Sequence, residues 1–90
     1  MVDATPTDPH ALALIALATA VSDERRAQRF LDLTGIGTDE LRARAGEPSL
    51  LAALVRFLEA HEPDLVAVAE AMKVKPEALV QARRDLEEMR

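Results

Sequence analysis

The chain has 90 residues, of which 49% are hydrophobic, and this is enough for one small domain with a modest core. Its aromatic residues are Phe30 and Phe57 and it contains no cysteine, so the core is aliphatic, and disulfide frameworks and thiolate chemistry are excluded. A net charge of −5 disfavours phosphate backbones and anionic membrane surfaces as partners.

The first predicted element is a helix over residues 9–21, which contains the apolar run 11–21. Asp8 is suited to cap its first free backbone N–H groups, and Pro9 suits the first turn, where its missing N–H costs nothing. A secretory leader needs basic residues before its apolar run, and residues 1–10 contain none. A membrane anchor needs about 20 apolar residues, more than this run provides. We therefore expect a core helix rather than a leader or an anchor.

A second helix is predicted over residues 23–34, with Ser22 as its N-terminal cap. Gly35 suits the left-handed position after its last turn, and Ile36 is expected to pack back on Leu31 as in a Schellman stop. The inner stripe of this helix comprises Ala27, Phe30, Leu31 and Thr34.

A short third helix is predicted over residues 39–45, between Thr38 as its cap and Gly46 as its end. Few of its residues are apolar, so we expect it to lie on the surface.

Three prolines suited to a first helical turn divide the second half of the chain. Helix four is predicted from Pro48 to about His61, helix five from Pro63, and helix six from Pro76. Apolar residues at helical spacing give each of them an inner stripe. The stripes comprise Leu50, Leu51, Leu54, Val55, Phe57 and Leu58 in helix four, Leu65, Val68, Ala69 and Met72 in helix five, and Leu79, Ala82, Leu86 and Met89 in helix six.

The whole pattern predicts an all-α fold, a compact array of five to six short helices with helices one and four central. No segment alternates with the period of two that a half-buried strand requires, and alanine and leucine favour helix. Helices this short are marginal alone in water, so each must bury its stripe against the others. Residues 8–90 are expected to form a single helical domain, and residues 1–7 a disordered N-terminal tail.

Residues 29–65 carry a set of motifs that resembles a known family. The matching features are Phe30-Leu31 with Leu33-Thr34-Gly35, Asp39-Glu40-Leu41-Arg42, and Pro48 before a leucine-rich helix that contains Phe57-Leu58. The family comprises small uncharacterised proteins of alphaproteobacteria, and its members have about 90 residues, as this chain does. A weaker likeness extends over residues 11–86. The resemblance implies an all-helical bacterial cytoplasmic protein, and it brings no activity, cofactor or partner.

Residues 66–86 resemble a helix-turn-helix, with a turn at residues 73–75 and Pro76 at the start of the second helix. A plain helical hairpin is the favoured interpretation, because Lys73 replaces the usual glycine and must accept a strained or different backbone. The second helix also carries carboxylates, Asp85, Glu87 and Glu88. The residues expected to face or approach nucleic acid are Lys73, Lys75, Glu77, Gln81, Arg83 and Arg84.

Five arginines lie between residues 23 and 46, and five carboxylates in the same segment balance them. Asp39 and Glu40 stand three or four residues before Arg42 and Arg44, a spacing that favours ion pairs on a helix surface. A solvated charged face is the favoured interpretation, and an arginine site for an acidic partner or nucleic acid is the alternative. The arginines are Arg25, Arg26, Arg29, Arg42 and Arg44.

Motifs for chemistry are missing from the sequence. His61-Glu62 lacks the second histidine of a metallopeptidase, because Leu65 stands in its place, and a helix C-terminus explains His61 better. Gly35-Ile36-Gly37 follows no strand and precedes no Gly-Lys-Ser or Gly-Lys-Thr, so it is not a phosphate loop. We expect a protein without enzymatic activity, metal or cofactor.

The favoured function is a non-enzymatic protein–protein interaction module that uses an apolar patch rimmed with charge. The very apolar first helix motivates it, because any face left exposed around Leu12, Leu14 or Leu17 would bind a helix of a partner protein or of a second copy. The alternative is a DNA-binding helix-turn-helix protein that uses residues 66–86.

Overall fold

A computed structural model of the chain describes residues 8–88, in which six α-helices and no strand are present. The all-α prediction of five to six short helices is confirmed. The predicted tail over residues 1–7 and the predicted inward residue Met89 lie outside the described residues. The helices are α1 (Pro9–Val21), α2 (Glu24–Thr34), α3 (Thr38–Arg44), α4 (Pro48–Glu59), α5 (Glu62–Met72) and α6 (Pro76–Glu88).

Four helices form the core, since α1, α4, α5 and α6 each contact the other three. The contact between α4 and α6 is the most extensive, so α6 is as central as the two helices that the sequence places at the centre. The side chains at the heart of the core are the predicted aliphatic stripes. Those that are almost completely inaccessible to solvent are Leu51, Leu54, Val55, Leu58, Val68, Leu79 and Leu86.

The remaining two helices, which we call the α2–α3 arm (residues 24–44), lie at the edge of this core. α2 packs against α1 and buries one residue completely, Phe30. α3 has no buried residue, which confirms its predicted surface position. Thr34 is exposed rather than part of an inner stripe, and its Oγ1 donates to the carbonyl of Phe30 within the helix, at 2.8 Å. The arm is therefore attached through few residues.

The ends of the helices follow local signals, with small corrections. Asp8 accepts from the backbone N–H of Ala11 at 2.8 Å, which confirms it as the cap of α1. Asp23, rather than Ser22, caps α2 and accepts from the N–H of Arg26 at 3.0 Å. This bond lowers the pKa of Asp23 below its ordinary value. The serine hydroxyl donates instead to the carbonyl of Thr19, at 2.6 Å.

Two other boundaries differ from the predictions. α3 begins at Thr38 with Gly37 before it as the cap, so Thr38 is the first helical residue rather than the cap. α5 begins one residue early, at Glu62, and Pro63 occupies its second position. A proline has no backbone N–H to offer, and this costs nothing anywhere in the first turn.

Two helices end in left-handed residues. Gly35 has φ 76° and its N–H donates to the carbonyl of Leu31 at 2.8 Å, a single bond in place of the predicted Schellman pair. Lys73, at the end of α5, has φ 60°. Its N–H donates to the carbonyl of Glu70, and the N–H of Val74 donates to that of Ala69, each at 3.0 Å. This is a Schellman motif built on a lysine, so the strained turn expected from the sequence is confirmed.

Candidate functional site

Of the three residues predicted for a partner-binding face of α1, two are buried and one is exposed. Leu12 and Leu17 are only 6% and 5% exposed and belong to the core. The buried side of α1 runs along residues 12, 13, 16, 17 and 20, which is the i, i+3, i+4 spacing of one helix face. Leu14 lies on the opposite side together with Ile15, and both are exposed. Because α1 is apolar on nearly every face, its sequence pattern did not reveal which side the core covers.

A second apolar surface, which the sequence did not single out, lies on α2. Leu33 is 72% exposed, the highest value among the exposed large hydrophobic residues within residues 8–88. It lies beside an open groove of about 530 Å³ between α2 and the end of α4. We call this the α2–α4 groove, and its lining residues are Arg29, Asp32, Leu33, Phe57, Ala60 and His61. Apolar side chains therefore meet charged ones around one recess.

A buried carboxylate orients the cation of this groove. Asp64, in the first turn of α5, is 7% exposed. Its Oδ1 accepts from Nε of Arg26 at 3.2 Å, and its Oδ2 accepts from Nη2 of Arg29. The two arginines come from successive turns of α2, so one carboxylate attaches this helix to α5. Charged groups that are buried require such partners, because water no longer solvates them.

The aromatic floor of the groove is equally well fixed. The rings of Phe57 and Phe30 meet edge to face, with centroids 5.3 Å apart. The guanidinium carbon of Arg29 lies 5.5 Å from the centroid of Phe57, within the range of a cation–π contact. The Arg29 side chain nevertheless keeps 48% of its surface exposed, so it has donors left for another molecule. The groove thus offers an apolar floor beside an oriented guanidinium group.

Of the residues predicted to face nucleic acid, some are exposed to solvent and one, Arg83, is bound to carboxylates of the protein. Lys73, Lys75, Gln81 and Arg84 are exposed. Arg83 is turned toward α4, and its side chain is only 13% exposed. It donates through Nε and Nη2 to the two carboxylate oxygens of Glu59, at 2.8 and 3.0 Å, and through Nη1 to Glu87 at 3.0 Å. Gln81 donates to Asp85 within α6, at 2.9 Å.

Arg83 belongs to an ionic network that joins α4 to α6. Arg56 donates to Glu87 through Nη2 at 2.9 Å, so Glu87 accepts from two arginines. These bonds, from Arg56 above all, lower the pKa of Glu87 to about 2. Glu59 raises the pKa of Arg83 above its ordinary value, and Glu87 does the same for Arg56. The network joins α4 to α6 and holds Arg83 against α4.

The two histidines have separate structural positions. His10 lies in the first turn of α1, and its Nε2 is 2.6 Å from the carbonyl oxygen of Gly46, a contact that ties α1 to the turn before α4. His61 is the N-cap position of α5, two residues after the end of α4, and it lines the groove. In the part of the chain that the structure describes, no group of three or more His, Cys, Asp or Glu residues is arranged to hold a metal ion.

The arginine cluster predicted from the sequence separates into two kinds of residue. Arg26 and Arg29 converge on Asp64, as described above. Arg44 pairs on the surface with Glu40 at 3.2 Å, as the helical spacing predicts, and with Glu47 at 2.9 Å. These bonds raise the pKa of Arg44, the one to Glu47 most strongly. The cluster is therefore partly a structural attachment and partly a solvated face.

Helix register indicates the direction of two side chains at this site. Asp64 stands four residues before Val68 on the inner face of α5, and this register places the carboxylate toward the core. Leu33 lies one turn after Phe30, at the end of a helix whose other outward residues are charged or polar. A helix register predicts the direction of each side chain, but it does not predict which helices meet.

None of the helices within residues 8–88 has the length and hydropathy needed to cross a membrane.

Comparison with known proteins places the chain in one family. The family model described as Protein of unknown function (DUF3572) matches residues 6–89. Searches of curated proteins and of solved structures found no significant match. The resemblance inferred from the sequence is therefore confirmed as an uncharacterised family, and its alphaproteobacterial origin stays a prediction.

Proposed function

The chain belongs to the DUF3572 family of proteins of unknown function, and from this premise we propose that it is a non-enzymatic protein–protein interaction module of the bacterial cytoplasm. Its contact surface is the α2–α4 groove, an apolar recess with a charged rim. The observation that carries the proposal is the exposure of Leu33 beside the floor formed by Phe57.

The residue types of the groove support this proposal. Aromatic residues and arginine are enriched in the cores of protein interfaces, where an apolar anchor of the partner enters a preformed recess. Phe57 and Arg29 are of these types, and both are held in place by contacts inside the protein. A surface that is already ordered loses little conformational entropy when a partner binds.

The rim of the groove favours binding over chemistry. A guanidinium carries N–H donors and no acceptor, so Arg29 serves in this proposal as a hydrogen-bond donor to a bound molecule. Its nearest charged partner, Asp64, lies beneath it and is occupied by two arginines. The rim therefore supplies orientation and charge to a bound molecule.

Site-specific photo-cross-linking in living cells tests the proposal. A photoreactive residue is placed at Leu33 or Ala60, and matched controls carry it at the exposed positions Gln81 and Arg42. We expect discrete protein adducts from the two groove positions that the controls do not give. Absence of adducts at the groove, or equal adducts at all four positions, contradicts the proposal.

The outer side of α1 is a second part of the proposal. Leu14 and Ile15 are exposed on the outer side of α1, and Leu14 is one of the residues that the sequence predicts to bind a partner. The same cross-linking residue at Leu14 tests whether this side also contacts a partner.

DNA binding by residues 66–86 is the alternative function. It is supported by the exposed cations Lys73 and Lys75 in the α5–α6 turn and Arg84 on α6. The engagement of Arg83 with two carboxylates weakens it, because that side chain is not free to reach a phosphate. The test is titration of duplex DNA at low salt with the full chain and with Lys75→Glu plus Arg84→Glu. No retardation of the DNA at micromolar protein ends this alternative.

A further inference from the structure

We propose that the partner of the α2–α4 groove is a second copy of this chain, related by a two-fold axis, with Leu33 of each copy inserted beside Phe57 of the other. The inference rests on the proposed function and names the molecule that the groove binds.

The first argument is shape. A two-fold dimer uses the same surface on both copies, so that surface must contain both a projection and a recess that accepts it. Leu33 projects, with 72% of its surface exposed, and it stands at the edge of the recess that Phe57 and Ala60 line. A site made for a different protein needs only the recess.

The second argument is charge within the groove. Arg29 and Asp32 lie three residues apart on α2, and both line the recess. When two α2 helices cross antiparallel at a two-fold axis, Asp32 of each copy lies opposite Arg29 of the other. Arg29 retains donors for this pair, because its contact with Asp64 leaves its side chain 48% exposed. The rim is thus complementary to itself.

The third argument is net charge. Two copies of a chain of charge −5 repel one another unless they meet at a balanced surface. Residues 23–46, which include α2, contain five arginines and five carboxylates and are neutral. Residues 47–72 contain one arginine against five carboxylates, so a surface composed of them alone would be repulsive. The α2 side therefore offers two copies a balanced surface on which to approach.

Sedimentation equilibrium of the full chain, from micromolar to millimolar protein, tests the dimer. We expect the mass to rise with concentration from the 9.8 kDa of one chain toward twice that value. Leu33→Ser removes the projection and Asp32→Arg places like charges opposite one another. Each should raise the dissociation constant at least about tenfold, equivalent to about 1.4 kcal/mol.

Leu14→Ser is the matched control, because Leu14 is also an exposed leucine but lies on α1. Circular dichroism establishes that every variant is folded as the parent is. A mass of one chain at all concentrations overturns the dimer, and so does an equal loss of association in Leu14→Ser and Leu33→Ser.

The cross-linking experiment separates this inference from the proposed function. Adducts of two copies at Leu33 and Ala60 support both. Adducts of the groove with a different protein, and none between copies, overturn the dimer and leave the interaction module standing. Absence of any groove adduct overturns both.

Discussion

The four-helix core and the α2–α3 arm are stabilised in different ways. In the core, every helix contacts three others and buries an aliphatic stripe. In the arm, Phe30 is buried, Arg26 and Arg29 bind one carboxylate on α5, and α3 has no fully buried residue. The difference shows that a small protein can place a polar helix with a few specific contacts, and that such a helix keeps its outer face exposed.

A cavity in the core is the largest expected effect. Leu54→Ala removes a side chain that is fully buried in α4, and it should lower the free energy of unfolding by about 2–5 kcal/mol. Leu33→Ala in the arm is the matched control and, at protein concentrations at which the chain is a monomer, should change it by less than about 0.5 kcal/mol, because Leu33 is exposed there. Chemical denaturation followed by circular dichroism measures both. Similar losses in the two variants would remove the distinction between core and arm.

Loss of the buried carboxylate should loosen the arm alone. Asp64→Asn leaves two arginines without their anion and should lower the free energy of unfolding by about 2–3 kcal/mol. This loss is smaller than that for a completely buried ion pair, because the Arg29 side chain is half exposed. Amide hydrogen exchange should show faster exchange in α2 and little change in α4. Asp32→Asn, at an exposed carboxylate that accepts from Gln28, is the control. A uniform increase throughout the chain would mean that α2 unfolds together with the core.

Backbone strain can be compared directly at the two left-handed helix ends. Gly35→Ala, at the end of α2, introduces a side chain at φ 76° and should destabilise by about 1 kcal/mol, although the added carbon has open space around it. Lys73→Gly, at the end of α5, removes the strain of a side chain in the left-handed conformation and should raise the free energy of unfolding by about 0.5–1 kcal/mol. Thermal unfolding measures both changes. A loss of stability in Lys73→Gly would show that the lysine side chain contributes more than its backbone costs.

The ionic network between α4 and α6 should have the smallest effect, and it should depend on pH. The pKa of Glu87 is about 2 in the folded protein against an ordinary value of 4.5. Its contribution is therefore complete above about pH 4.5 and is lost as the pH falls toward about 2. The melting temperature of Glu87→Gln should fall less steeply than that of the parent over this interval. Parallel curves would show that the network contributes nothing to folding.

The core was predictable because its signals are local and repeated. Pro48 and Pro76 begin helices, Asp8 caps α1, and the stripe from Leu51 to Leu58 is buried as its spacing predicts. Each of these outcomes depends on residues within one or two turns, so the register alone decides them.

The groove was not predictable, because it depends on contacts between distant segments. Arg29 and Asp64, which form an ion pair, are 35 residues apart in the sequence, and Arg83 and Glu59 are 24 residues apart. Arg83 and Arg84 are neighbours on one helix, yet Arg84 is exposed and Arg83 is ion-paired with Glu59. The fold decides between these environments, and composition does not. For the same reason Leu12 and Leu14 on one apolar helix face opposite sides.

The edge-to-face contact of Phe30 and Phe57 has a practical consequence. These two rings are the only phenyl groups in the chain, which contains no tryptophan or tyrosine. Each ring alters the magnetic shielding of the other, so their resonances depend on how α2 is seated on α4. A proton NMR spectrum of unlabelled protein therefore carries a built-in reporter: displacement of α2 moves these resonances, whereas a ligand bound elsewhere leaves them in place.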